Sequence, residues 1–89
     1  MLVKFSGASN EELNRTPLVL PNSFKKIKDL FKFLSREHPE TRESFLEVDG
    51  RVKDGTLVIV DDQDWELLGS EEYELKGEDI ILISSLHGG

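Results

Sequence analysis

At 89 residues the chain has room for one small domain and a single core, not two. It has no cysteine, which excludes a disulfide scaffold, a thiolate-ligated zinc and thiol chemistry of its own. Its 18 Asp and Glu against 11 Lys and Arg leave a net charge of −7, a balance that opposes binding to a phosphate backbone.

No run approaches the roughly 18 apolar residues of a membrane span. Met1-Leu2-Val3-Lys4 alternates at once and lacks the apolar run of a signal peptide. With the missing cysteines, this sets the expectation of a cytoplasmic protein.

Leu2–Ser6 alternates with period two and reads as a half-buried strand. Residues 7–14 are small and polar and read as a loop. Residues 16–20 form a second apolar run, placed at a sheet edge or strand start by Pro17, which has no N–H to donate. Pro21-Asn22-Ser23 marks a helix start with Asn22 or Ser23 as N-cap. Phe24, Ile27, Leu30, Phe31 and Leu34 then recur at spacings of three and four and form one stripe, with Phe33 at its margin. Lys25, Lys28, Lys32 and Arg36 lie opposite, and Pro39 ends the helix.

Residues 41–45 are open between a short helical turn and a loop, and Asp49-Gly50 and Asp54-Gly55 are turn signals. Thr56–Val60 is nearly all apolar and mostly β-branched, the pattern of a strand buried on both faces. Residues 61–64 end it, residues 65–69 make one turn closed by Gly69, and residues 73–75 read as a brief edge strand. After a turn at 76–79, residues 80–83 form a second fully buried strand, and the rest of the chain trails out of it. Two strands on each side of one amphipathic helix require a single sheet over a single apolar stripe. The expectation is an α+β fold of the β-grasp (ubiquitin-like) type, with a mixed sheet whose first and last strands run parallel in the middle. The domain takes residues 1–84 and leaves 85–89 as a mobile tail.

The charges are segregated. Residues 61–79 hold nine acids and one base, Lys76, while residues 23–38 hold five bases against Asp29 and Glu37. Such patches are either solvated surface or a field that steers one partner in one orientation.

The tail carries the chemistry. Gly88-Gly89 presents an unhindered carboxylate on a segment that can thread a narrow channel. A carboxylate is inert until activated, and an ATP-consuming partner can turn it into an acyl adenylate shielded from water. Other candidates are weaker. Asp61, Asp62 and Asp64 lack the remaining spacing of a calcium loop and read as a solvated turn. Trp65 is either a core-edge residue or a partner-facing anchor. His38 and His87 are too far apart in sequence to suggest a metal site, and no nucleophile–base pair or phosphate-cradling loop is visible.

Asp64-Trp65-Glu66-Leu67-Leu68-Gly69, Tyr73 with Leu75, Asp79-Ile80-Ile81 and Ile83-Ser84-Ser85-Leu86-His87-Gly88-Gly89 closely resemble the ubiquitin-related modifier family. That family is the eukaryotic sulfur carrier that also serves as a protein modifier. The resemblance runs almost unbroken over residues 52–89 and is one of pattern before that. Asp54 stands where the family usually has proline, Ser85 where it has threonine, and Gly7 is single where a glycine pair is common.

The resemblance implies that Gly89 is adenylated by a ubiquitin-activating-type adenylyl and sulfur transferase, using ATP and Mg that belong to that partner. A rhodanese-like persulfide then makes a terminal thiocarboxylate (1-thioglycine at Gly89). Through the tRNA thiolation complex it supplies sulfur for 2-thiolation of the wobble uridine of cytosolic tRNA. The same end forms isopeptide bonds to lysines of acceptor proteins. Ser85, Leu86, His87 and Gly88 become the residues that the activating enzyme recognises. The chain is then a monomeric co-substrate and not an enzyme, with no catalytic residue, bound cofactor, metal, membrane contact or direct contact to nucleic acid. Strand alternation turns Val3 and Phe5 toward the helix; for the two apolar strands, similarity to ubiquitin, counted back from the tail, adds Leu57, Ile59, Ile80 and Leu82. Two other readings stand: a sulfur carrier of a cofactor pathway (molybdopterin or thiamine), or a passive ubiquitin-like binding module.

Overall fold

The computed structural model describes residues 1–85. Strand β1 (Leu2–Ser6) leads through a short helix, α1 (Glu11–Arg15), to β2 (Leu18–Val19). Helix α2 (Ile27–Glu37) follows, then β3 (Thr56–Val60), β4 (Gln63–Asp64) and β5 (Ile80–Ser84). Three 3-10 turns, Pro39–Arg42, Trp65–Leu68 and Ser70–Glu72, fill the connections. The strands form one mixed sheet in the order β2-β1-β5-β3-β4, with β1 and β5 parallel at its centre. This is the expected β-grasp arrangement of an α+β domain.

The helix stripe closes the core. Ile27, Leu30, Phe31 and Leu34 are buried against Val3, Phe5, Val58, Val60, Ile80 and Leu82 from the sheet. Phe24 belongs to the cluster margin but not to the helix; its ring packs on Phe33 at 5.1 Å.

The helix starts later than its caps suggest. Asn22 Oδ1 accepts from the Met1 amine at 3.2 Å instead of capping. Residues 25–27 run extended against 73–75: Ile27 N–H donates to the Tyr73 carbonyl (2.9 Å), and Leu75 N–H to that of Lys25 (2.8 Å). The brief strand expected at 73–75 therefore pairs with the helix approach rather than with the main sheet. Asp29 takes over the cap, accepting from Lys26 N–H at 3.3 Å. The loop expected at 7–14 contains α1, capped by Asn10, whose Oδ1 accepts from the N–H of Glu12 and Leu13; this turn buries Leu13.

Strand β3 corrects the expected parity. Leu57 is 49% exposed while Val58 and Val60 are buried. Antiparallel register sets Val58 opposite Leu82 and Leu57 opposite Ile83, so inward residues of β5 select the even positions of β3. Beyond Val60 the same register is held by Asp61, whose N–H donates to the Asp79 carbonyl at 3.1 Å and whose Oδ1 accepts from the Asp79 N–H at 3.0 Å. Neither β3 nor β5 is buried on both faces, since Ile59, Ile81 and Ile83 are only half-buried on the side away from α2.

Gly50 ties the turn after residue 46 to the helix. At φ +89° it lies so close to α2 that a Cβ there would sit 2.8 Å from the Lys32 Cα. Gly50→Ala should destabilise by roughly 1–3 kcal/mol, read as a lower urea midpoint at unchanged slope.

Candidate functional site

The point where the chain leaves the sheet is built from three elements. Ser84, the last residue of β5, is buried and pairs with Thr56 of β3. One residue on, Ser85 N–H donates to the Gly55 carbonyl at 3.0 Å, and its hydroxyl donates to the same oxygen at 2.6 Å. A carbonyl oxygen has two lone pairs and can take both. On the β1 side, Gly7 at φ +80° lies against the Ser84 backbone; a Cβ there would collide with the Ser84 carbonyl oxygen. The exit therefore lies between the end of β1 and the start of β3. Mobility is expected from Ser85 onward, but the body bonds Ser85, because the β3–β5 ladder carries one step past Ser84. Leu86, His87, Gly88 and Gly89 lie outside the described residues.

The acidic and basic patches meet. Glu72 accepts from Lys26 Nζ at 2.8 Å and from Lys28 Nζ at 2.7 Å. These hydrogen bonds, Lys26 first, hold the Glu72 carboxyl down at about 2, and Glu72 holds the Lys26 ammonium above its ordinary value. Below pH 4.5 an unfolded chain protonates this carboxyl while the folded one keeps it charged. The stability it contributes is therefore complete above that value and is lost as pH falls through about 2. A carboxyl-carbon NMR titration should place Glu72 at about 2, and Lys26→Met should move it up toward 4.5.

Four more of the nine acids have internal tasks. Asp61 Oδ1 accepts from Asp79 N–H, Asp79 Oδ1 from Leu2 N–H, and Asp64 Oδ1 from Glu66 N–H. Glu78 accepts from the Tyr73 hydroxyl and from Lys76 N–H. Asp62, Glu66, Glu71 and Glu74 are exposed, and their carboxylates pair with nothing among the described residues. These four are the field that a partner would meet. Asp61 and Asp62, both at positive φ, form the two-residue turn between β3 and β4, and Asp64 caps the 3-10 turn that follows.

Trp65 resolves toward the core edge. Its ring packs on Phe31 at 5.7 Å and lines a cleft with Lys28, Lys32, Gly50 and Val52. His38 caps the end of α2 through its N–H to the Leu34 carbonyl and lies against Phe33 and Glu40. Neither lies at the exit of β5. The seats of Ser85, Gly7 and Gly55, escape the sequence reading; glycines bordering the two strands that flank β5 are the only signal they leave.

A family profile described as Urm1 (Ubiquitin related modifier) matches residues 3–89. The chain belongs to the ubiquitin-related modifier family. Ubiquitin-related modifier 1 of Encephalitozoon cuniculi is 38% identical over 96 aligned positions that span 100% of both chains. The Schizosaccharomyces pombe protein of that name is 40% identical over 72% of this chain and 68% of its own. The Bombyx mori homolog is 37% identical over 96% of this chain and 84% of its own. The crystal structure of Sulfolobus solfataricus Urm1 superposes with a TM-score of 0.61, covering 94% of this chain and 99% of that one, at 19% identity. At that identity the likeness speaks to fold, and it is the β-grasp fold. The family match reaches back through β1 and α2, where the resemblance was one of pattern alone. Membership of a family of ubiquitin-like modifiers agrees with a chain that is not itself a catalyst.

Proposed function

We propose that the chain is a sulfur carrier and protein modifier whose reacting group is the Gly89 carboxylate. The observation that carries the reading is the course of β5. The central strand of the sheet runs directly into Ser85, so a rigid body presents the Leu86-His87-Gly88-Gly89 end to a partner. Family membership supports the same assignment.

In the activating enzyme, a Gly89 carboxylate oxygen attacks the α-phosphorus of ATP and pyrophosphate leaves. A partner's persulfide sulfur then attacks the acyl carbon and AMP leaves. A second partner thiol cleaves the resulting acyl disulfide, freeing the thiocarboxylate and forming a disulfide between the partner sulfurs. The thiocarboxylate supplies sulfur for 2-thiolation of wobble uridine in cytosolic tRNA through a tRNA thiolation complex, and the activated end joins lysines of acceptor proteins. Ser85, Leu86, His87 and Gly88 guide the tail into the enzyme, and the work takes place in the cytoplasm. ATP and Mg bind to the partner.

The test is intact mass after incubation with ATP-Mg, a ubiquitin-activating-type enzyme and a persulfide donor. The expected result is the mass gain of one oxygen replaced by sulfur, dependent on all three additions. An unchanged mass with an enzyme active on another carrier overturns the reading. Steering by the exposed carboxylates has its own check. Glu71→Lys with Glu74→Lys should slow association with the activating enzyme several-fold at low salt and little at high salt. Glu72 is unsuitable for that reversal, because a lysine there would face Lys26 and Lys28.

A further inference from the structure

The bonding of β5 extends beyond its last paired residue. Thr56 and Ser84 are the final partners in the β3–β5 register, yet Ser85 adds two donors to one acceptor, the Gly55 oxygen, at 3.0 and 2.6 Å. The second comes from an exposed side chain that packs no core. Gly7 closes the opposite side, leaving no room for a Cβ above the Ser84 carbonyl. The end of β5 is therefore held from β1 and from β3 at once.

We infer that the Ser85 hydroxyl is a positioning residue: by bonding the Gly55 carbonyl it latches the root of the tail and fixes where the last four residues leave the body. The inference rests on the proposed activation of Gly89 and adds a role to Ser85 different from direct recognition. Four residues reach at most about 14 Å. Any swing of the root is carried to the terminus, and each further residue that is loose in the free protein must be ordered when the tail enters a channel. A latched root removes Ser85 from that cost. Loss of the latch therefore weakens productive binding and leaves the chemical step alone.

The experiment measures two things on the full chain as wild type, Ser85→Ala and Ser85→Thr. The first is amide hydrogen exchange of the free protein. The second is steady-state ATP–pyrophosphate exchange with the activating enzyme. Removing one hydrogen bond should raise exchange at the residue-85 amide roughly fivefold. The Leu82 amide, in the core of the sheet, should not change. The same variant should raise KM for the carrier roughly fivefold with kcat within about twofold of wild type, in proportion to the lost hydrogen bond. Ser85→Thr keeps the hydroxyl and should restore both values. Unchanged exchange at residue 85 in Ser85→Ala overturns the latch, and a raised KM alongside it means that the enzyme contacts the hydroxyl itself. Failure of Ser85→Thr to restore the exchange rate also overturns it. If the wild type supports no pyrophosphate exchange, the carrier reading falls, while the amide measurement still decides the latch.

Discussion

Leu30→Ala should lower the free energy of unfolding by about 3–5 kcal/mol. Leu30 is fully buried, in a cluster that takes Val3, Phe5, Val58, Ile80 and Leu82 from the sheet and Ile27, Phe31 and Leu34 from its own helix. The methyl groups removed have no water to return to, and close packing around them leaves a cavity rather than a collapse. A small domain is stable by only about 5–15 kcal/mol, so much of the total is lost. Urea unfolding followed by far-ultraviolet circular dichroism measures it. A loss under about 1 kcal/mol would mean that α2 does not lean on the sheet through this stripe. The same assay tests strand parity. Val58→Ala, at a fully buried position, should cost about 2 kcal/mol, and Leu57→Ala, half-exposed, less than about 1.

That parity shows where the sequence stops being informative. In α2 the apolar residues are separated by lysines, so the helical period is written in the sequence and the buried face follows from it. In Thr56–Val60 nearly every side chain is apolar, so no alternation marks a face. The choice is made by partners far along the chain, Leu82 and Ile80 across the ladder, which face Val58 and Val60. The helix start failed for a related reason. Asn22 and Ser23 have the chemistry of a cap, but residues 73–75 claim the adjoining backbone and delay the helix to Ile27. Helix α1 was missed because five residues are too short for a period, though Asn10 before two glutamates carries the cap signal. At the site the split is similar. The tail shows itself in composition, while the seat of Ser85 depends on Gly55, thirty positions away, and on Gly7 at the end of β1.

Deleting Gly89 should abolish ATP–pyrophosphate exchange with the activating enzyme, and Gly88→Val should reduce it by at least a hundredfold. Both changes lie beyond β5 and should leave the urea midpoint unaltered. The deletion draws the terminal carboxylate back by about 3.5 Å along an extended chain. Reacting atoms need contact at about 3–3.5 Å, so the α-phosphorus is then out of reach unless the whole tail slides forward. The body prevents that slide. Ser85 is bonded to Gly55, and Ser84 is enclosed beneath Gly7, so slack cannot be drawn from β5 without breaking the β3–β5 ladder. Gly88→Val keeps the length but places a β-branched side chain next to the reacting end and removes φ and ψ values open to glycine. The two variants therefore fail for different reasons, one by reach and one by width. Adding a residue before Leu86 to the Gly89 deletion restores reach alone, and should recover exchange only if the register from a fixed root is what the deletion destroyed. Equal exchange by the wild type, the deletion and Gly88→Val would show that the terminus is not the reacting group.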